Sequence, residues 1–182
     1  TVSAPDDNRL LAALALALVQ KPRASLQELA KAVGISKATL YRFCRTREEL
    51  IDRLMAHGTA LLHATADLVE IEEGSPIQVL PKLIAAQLEH RELMAFMIFY
   101  WRPDALDNPA QAAQWDEFTQ RMDAFLRGQR EGVFRIDISA AALSEAFGGL
   151  FCGLVDAERN GRVARTSIAP TLEALFLRGA SA

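Results

Sequence analysis

Between Lys21 and Arg47 the chain carries seven basic residues and one acidic residue, Glu28, interleaved with the hydroxyls of Ser25, Ser36, Thr39 and Tyr41. This is chemistry for a polyanion, because cations and hydroxyl donors neutralise and hydrogen-bond phosphate oxygens. The concentration is local. Residues 1–54 hold nine Lys or Arg against six Asp or Glu, and the remainder holds eleven against seventeen. A basic head therefore joins an acidic body in a 182-residue chain of net charge −3, which points the head towards nucleic acid.

The elements that position these residues are helices. Ser25-Leu26-Gln27-Glu28 reads as a capping box, with Leu26, Leu29, Ala30 and Val33 as the apolar face and Gly34 as the left-handed residue that ends the helix. Ser36 caps a second short helix through Arg42, with Ile35, Leu40 and Phe43 turned inward and Lys37, Ala38, Thr39, Tyr41 and Arg42 outward. Two short helices across so tight a connection form a helix-turn-helix. Thr46-Arg47-Glu48-Glu49 reads as another capping box. It opens a long helix whose expected stripe is Leu50, Leu54, His57, Leu61, Ala64 and Leu68.

Further along, Ser75 with Pro76 and Gln78 starts a helix toward His90, with Leu80, Leu83, Ile84 and Leu88 as its apolar face. The apolar stretch Leu93 to Trp101 follows. Asn108-Pro109 begins a helix that stops near Gly132, Ser139 to Arg159 forms another, and Thr166 or Ser167 with Pro170 opens the last. Period-2 alternation is essentially absent, so the fold class is all-α with about nine helices. The expected division is a DNA-binding domain over 1–54 and a larger helical domain over 55–182, joined inside a helix.

Leu29, Ala30, Val33-Gly34-Ile35-Ser36, then Thr39-Leu40-Tyr41-Arg42-Phe43, then Arg47-Glu48-Glu49-Leu50 resemble the signature of the TetR family of transcriptional regulators. The resemblance is close over about 30 residues, and the remainder agrees in architecture only. It departs at Lys21-Pro22-Arg23, where a glycine and an aromatic residue are usual, at Cys44, where phenylalanine is usual, and at Arg45, where proline is common. The resemblance implies phosphate contacts from Ser25, Tyr41 and Arg47, and base or nearby backbone contacts from Lys37, Ala38, Thr39 and Arg42, with Ser36 at the helix start counted among them. Double-stranded operator DNA and a small-molecule effector are the implied partners.

In the body, Met94, Phe96, Met97, Phe99, Tyr100 and Trp101 face a second cluster of Trp115, Phe118, Met122 and Phe125. Most of these are core, but so many adaptable side chains suit a lipophilic cavity. The resemblance places a pocket among the middle helices and makes Phe96, Tyr100, Trp101, Trp115, Phe118 and Met122 its candidates. It also pairs the last two helices of each subunit across a two-fold axis. Ala146, Gly149 and Gly153, with Phe147, Leu150 and Leu154 beside them and Leu172, Leu175 and Phe176 on the last helix, are the expected homodimer interface. Repression relieved by ligand is the expected sign, with activation left open.

Other chemistries find little support. Cys44 and Cys152 are too few and too far apart for a zinc site or a disulfide framework, which suggests a reducing cytoplasm. Cys44 reads as a small apolar filler, with a redox thiol activated by Arg42 and Arg45 as the lesser alternative. His57, His63 and His90 lack metal-ligand spacing, and no glycine-rich phosphate loop occurs, so neither a cofactor nor catalysis is expected. The run Leu10 to Val19 has the look of a leader peptide but is expected to be a buried first helix, and no run long enough for a bilayer is expected. A helical carrier of lipophiles is the main rival, and it leaves the basic cluster unexplained.

Overall fold

A computed structural model describes residues 4–100, 109–126 and 132–181. Among them are nine α-helices and one isolated β-bridge, between Phe134 and Ser181, in agreement with the expected all-α class. The helices are α1 (Ala4–Gln20), α2 (Leu26–Val33), α3 (Lys37–Phe43), α4 (Arg47–Leu68), α5 (Pro76–Glu89), α6 (Arg91–Tyr100), α7 (Pro109–Leu126), α8 (Ala140–Arg159) and α9 (Ile168–Ala180). Asn108, at the expected start of α7, lies outside the described residues.

The leader-like run is a core helix. Leu14, Ala15, Leu18 and Val19 of α1 are buried, and α1 packs against both α2 and α6, so one helix serves head and body alike. In α2 the expected capping box forms reciprocally: Ser25 Oγ accepts the Glu28 amide at 3.3 Å, and the Ser25 amide donates to Glu28 Oε2 at 2.8 Å. Gly34 ends the helix at φ +76°, a conformation that a side chain disfavours.

Three local expectations change. Thr46 caps α4 by accepting the Glu49 amide at 3.0 Å, but the Glu49 carboxylate reaches the Arg45 amide at 2.8 Å, so the box closes one residue early. Ser75 caps α5 without its side chain, because its carbonyl takes the Gln78 amide at 2.9 Å. A single 3-10 turn, Arg165–Ser167, leads into α9, which leaves Ser167 without a capping role.

The long helix α4 buries Leu50 and Leu54 as expected, but further along it buries Leu62, Thr65 and Ala66 while Ala64 and Leu68 face solvent. Leu68 is 76% exposed. The neighbours α6 and α7 decide which face is covered, and spacing alone cannot see them. Gly58 permits that packing, since a Cβ there would lie 2.3 Å from Met97 Sδ on α6. Beyond it, Arg121 of α7 donates to Asp67 Oδ1 at 2.7 Å and pairs with Glu72, fastening α7 to the end of α4.

By length and composition α8 could cross a membrane, with an 18-residue window of mean hydropathy 1.3, contrary to the expectation that no such stretch exists. Glu145 interrupts the run and hides it from a search for unbroken apolar sequence. Only 22% of that window is buried within the chain.

Candidate functional site

Helix α3 presents Lys37, Ala38, Tyr41 and Arg42 to solvent over a fully buried Leu40. Tyr41 is 43% exposed, with Lys37 Nζ 5.3 Å from its ring centroid, so a phenol donor and a cation stand side by side. Lys21, Arg23 and Arg45 are exposed in the same head. Thr39 is half-buried and shares a 2.8 Å hydroxyl contact with Ser36, whose oxygen also accepts the Thr39 amide at 3.0 Å.

Two residues expected at phosphates are engaged elsewhere. The Ser25 hydroxyl donates to Glu28 Oε2 at 2.8 Å, which leaves it no second proton for a phosphate oxygen. The two bonds from Ser25, the backbone one first, hold the Glu28 carboxyl below its usual range. Arg47 is half-buried, and its Nη2 donates to the Tyr100 hydroxyl at 2.7 Å and to the Pro22 carbonyl. Tyr100 in turn donates to the Leu18 carbonyl at 3.3 Å. The first residue of α4, the last of α6 and the end of α1 thus meet at one phenol. Arg47 Nε is buried there without a hydrogen-bond partner. Of the three phosphate candidates only Tyr41 remains free on the surface.

A cavity of about 360 Å³ opens in the body, with Trp115, Phe118 and Met122 of α7 on its wall. Phe96 and Tyr100 are not on it. Helical spacing puts Met94, Met97 and Ile98 on one side of α6, and these three line the cavity. Phe96 and Tyr100, two residues out of phase, face the other way and stack with ring centroids 4.8 Å apart. Trp101 lies outside the described residues, as does the side chain of Phe125.

Residues from α4, α5 and α8 complete the wall, among them Leu62, Gln87, Glu145 and Phe151. Gln87 could have been found in the sequence, because it is a polar residue three after Ile84 and four after Leu83 on an otherwise apolar face.

The interface candidates on α8 and α9 divide in two. Phe147, Leu172 and Phe176 are buried within the chain, with the Phe147 and Phe176 rings 5.3 Å apart, so they are core rather than free surface. Phe147 also lines the cavity. Ala146, Gly149 and Gly153 are exposed, Leu150 and Leu154 are half-buried, and Leu175 is 55% exposed. A Cβ on Gly149 or Gly153 would meet nothing within 4 Å, so this strip has room for a close neighbour.

The cysteines are quiet. Cys44 is 1% exposed, and burial, reinforced by Glu49, pushes its thiol pKa up despite the guanidinium of Arg53. The expected influence of Arg42 and Arg45 is not among its causes. Burial likewise raises Cys152, which lines the cavity. Among the described residues no cluster of three or more His, Cys, Asp or Glu could hold a metal.

An exposed basic helix-turn-helix joined by α4 to a hollow helical body defines a DNA-binding regulator. No family model matches the chain. It is 50% identical over 176 residues to the HTH-type transcriptional regulator NfxB of Pseudomonas aeruginosa, covering 96% of this chain and 94% of that one. Its fold matches the TetR-like regulator LfrR from Mycobacterium smegmatis, crystallised with proflavine, at TM-score 0.74 and 23% identity, covering 96% of each chain. It also matches AibR in complex with isovaleryl coenzyme A and operator DNA, at TM-score 0.67 and 16% identity, covering 93% and 97% of the two chains. The chain belongs to the TetR family of helix-turn-helix transcriptional regulators.

Proposed function

We propose that the chain is a dimeric repressor, working in the cytoplasm, that holds a palindromic operator and releases it when a small lipophilic or aromatic molecule enters the body. Residues 1–54 act as the DNA-binding unit and 55–182 as the ligand-binding and pairing unit. The observation that carries the proposal is the link between them: the cavity wall includes α6, and the last residue of α6 holds the first residue of α4 through the Tyr100–Arg47 bond.

Lys37, Ala38, Tyr41 and Arg42 are the reading surface, with Thr39 and Ser36 setting the start of their helix. Pairing through the exposed strip of Ala146, Gly149, Gly153 and Leu175 would present two such helices to successive major grooves, about 34 Å apart or a multiple of it. That strip gives the apolar α8 a partner, which supports the dimer. A ligand that displaces α6 pulls on Arg47 and alters the separation, and DNA then weakens ligand binding by the same factor, typically about 5- to 150-fold. The proflavine and isovaleryl coenzyme A complexes of LfrR and AibR support a ligand in this body, and the AibR complex supports an operator at the head.

Capture of genomic DNA fragments by the purified protein at two salt concentrations tests the reading. Enrichment of a palindromic site, lost on Tyr41→Ala with Arg42→Ala, is the expected result. Equal capture by both proteins removes the proposed reading surface, and a carrier of lipophiles then becomes the better account.

A further inference from the structure

We propose that the cavity selects a lipophilic aromatic amine that is cationic near neutral pH, with Gln87 and Glu145 as the residues that read it. The inference deepens the proposed function and rests on it only for the consequence of binding, since the ligand class follows from the wall itself.

Among the described residues on that wall, Glu145 is the one charged side chain, and there is no Lys, Arg or His. An anionic ligand would find nothing to neutralise it and a carboxylate to repel it, so an organic acid is disfavoured. A cation meets the opposite. Trp115, Phe118, Phe147 and Phe151 offer π faces that attract positive charge, and Met94, Met97 and Met122 offer polarisable sulfur. The thiol of Cys152 stays neutral, because burial raises its pKa, and adds no further charge.

Gln87 supplies the second point of recognition. It is 5% exposed, on α5, and lines the cavity. Its side-chain amide has no hydrogen-bond partner among the described residues, unlike the other two buried polar residues: Thr59 donates to the Met55 carbonyl at 3.1 Å, and Thr65 donates to the Leu62 carbonyl at 2.8 Å. A buried amide left unpaired is costly unless something in the cavity satisfies it. An amine N–H donates to its carbonyl oxygen. A purely hydrocarbon ligand leaves it unpaired.

The test titrates the intact protein with three planar probes of similar size: an aminoacridinium cation, neutral anthracene and anthracene carboxylate. Binding is followed by Trp115 fluorescence and by calorimetry, with no DNA present. The cation is expected to bind at least about tenfold more tightly than either of the others, corresponding to about 1.4 kcal/mol. Glu145→Gln should weaken the cation about tenfold and leave anthracene unchanged, and Gln87→Leu should weaken the cation several-fold while anthracene binds as well or better. Thermal melting of each variant confirms that it is folded. Equal binding of the three probes, preference for the carboxylate, or indifference of the cation to both substitutions overturns the inference. Cation binding that depends on Glu145 but leaves DNA capture unchanged upholds the ligand class and overturns only ligand-controlled release.

Discussion

The head and the body carry their functional residues in opposite ways. In the head the working side chains are exposed, polar and close in sequence, all on the seven-residue α3 and its flanks. In the body they come from α4 to α8, and most lie inside. An exposed binding surface on a short helix needs only a rigid support, here Leu40, the Ser36 cap and α2. A cavity exists only where several long helices fail to fill the space between them, so its position depends on every neighbour at once. Substitutions in the head should therefore change affinity while sparing stability, and those in the body should change both.

The largest effect expected on this contrast comes from Phe96→Ala. Its ring is fully buried on α6, and removing it should cost about 3–5 kcal/mol, measured as the shift of the urea unfolding midpoint. A loss below about 1 kcal/mol would mean that the body tolerates voids as an exposed surface does. Next, Tyr41→Ala with Arg42→Ala should weaken operator binding by about 2–4 kcal/mol in fluorescence anisotropy. The unfolding midpoint should barely move, and a large shift would end the view of α3 as a surface on a support.

Pairing offers an intermediate case, since it puts function on an exposed face of the body. Ala146→Arg with Gly153→Leu should raise the dimer dissociation constant at least about tenfold in analytical ultracentrifugation. Thermal melting of the protomer should stay close to wild type, because Ala146 is exposed and a Cβ at Gly153 meets nothing. Tyr100→Phe sits on the seam between the regions. Loss of its hydroxyl removes a bond to a charged group and one to a carbonyl, and should lower stability by about 1–2 kcal/mol while reducing the effect of ligand on DNA binding.

The smallest effect concerns acid. Arg121 holds the Glu72 carboxyl below its usual range, chiefly by the direct hydrogen bond. A carboxylate whose folded pKa is depressed contributes stability above its ordinary value and loses it as pH falls through the folded value. Glu72 is half exposed, so the contribution is below about 1 kcal/mol. Arg121→Ala should therefore flatten the decline of stability below about pH 4.5 in a series of urea titrations, without altering DNA affinity.

How far each region could be read beforehand follows from the same contrast. Capping residues at Ser25, Ser36 and Thr46, the turn at Gly34 and the surface of α3 all depend on neighbours within four residues, so periodicity and cap chemistry found them. The second half of α4 was placed one face out, because α6 and α7 choose what is buried. The aromatic cluster was located correctly, but Phe96 and Tyr100 were assigned to the cavity when the out-of-phase Met94, Met97 and Ile98 line it. Phe147, Leu172 and Phe176 sat in an apolar stripe that serves the core as readily as a partner. Arg47 matched a surface motif and turned inward because Tyr100, 53 residues away, was there to receive it.

That inward turn has a consequence for conformational populations. Arg47 Nε loses its water in the closed seam and gains no partner, a penalty of about 1–3 kcal/mol for a buried donor. Opening the seam returns that group to water, so the closed and open arrangements lie nearer in free energy than the Tyr100 and Pro22 bonds alone would place them. Each 1.4 kcal/mol so recovered multiplies the open fraction about tenfold, and lowers by the same factor the differential affinity a ligand must have to invert the equilibrium. The one unsatisfied nitrogen thus sets how weak a ligand can be and still be sensed.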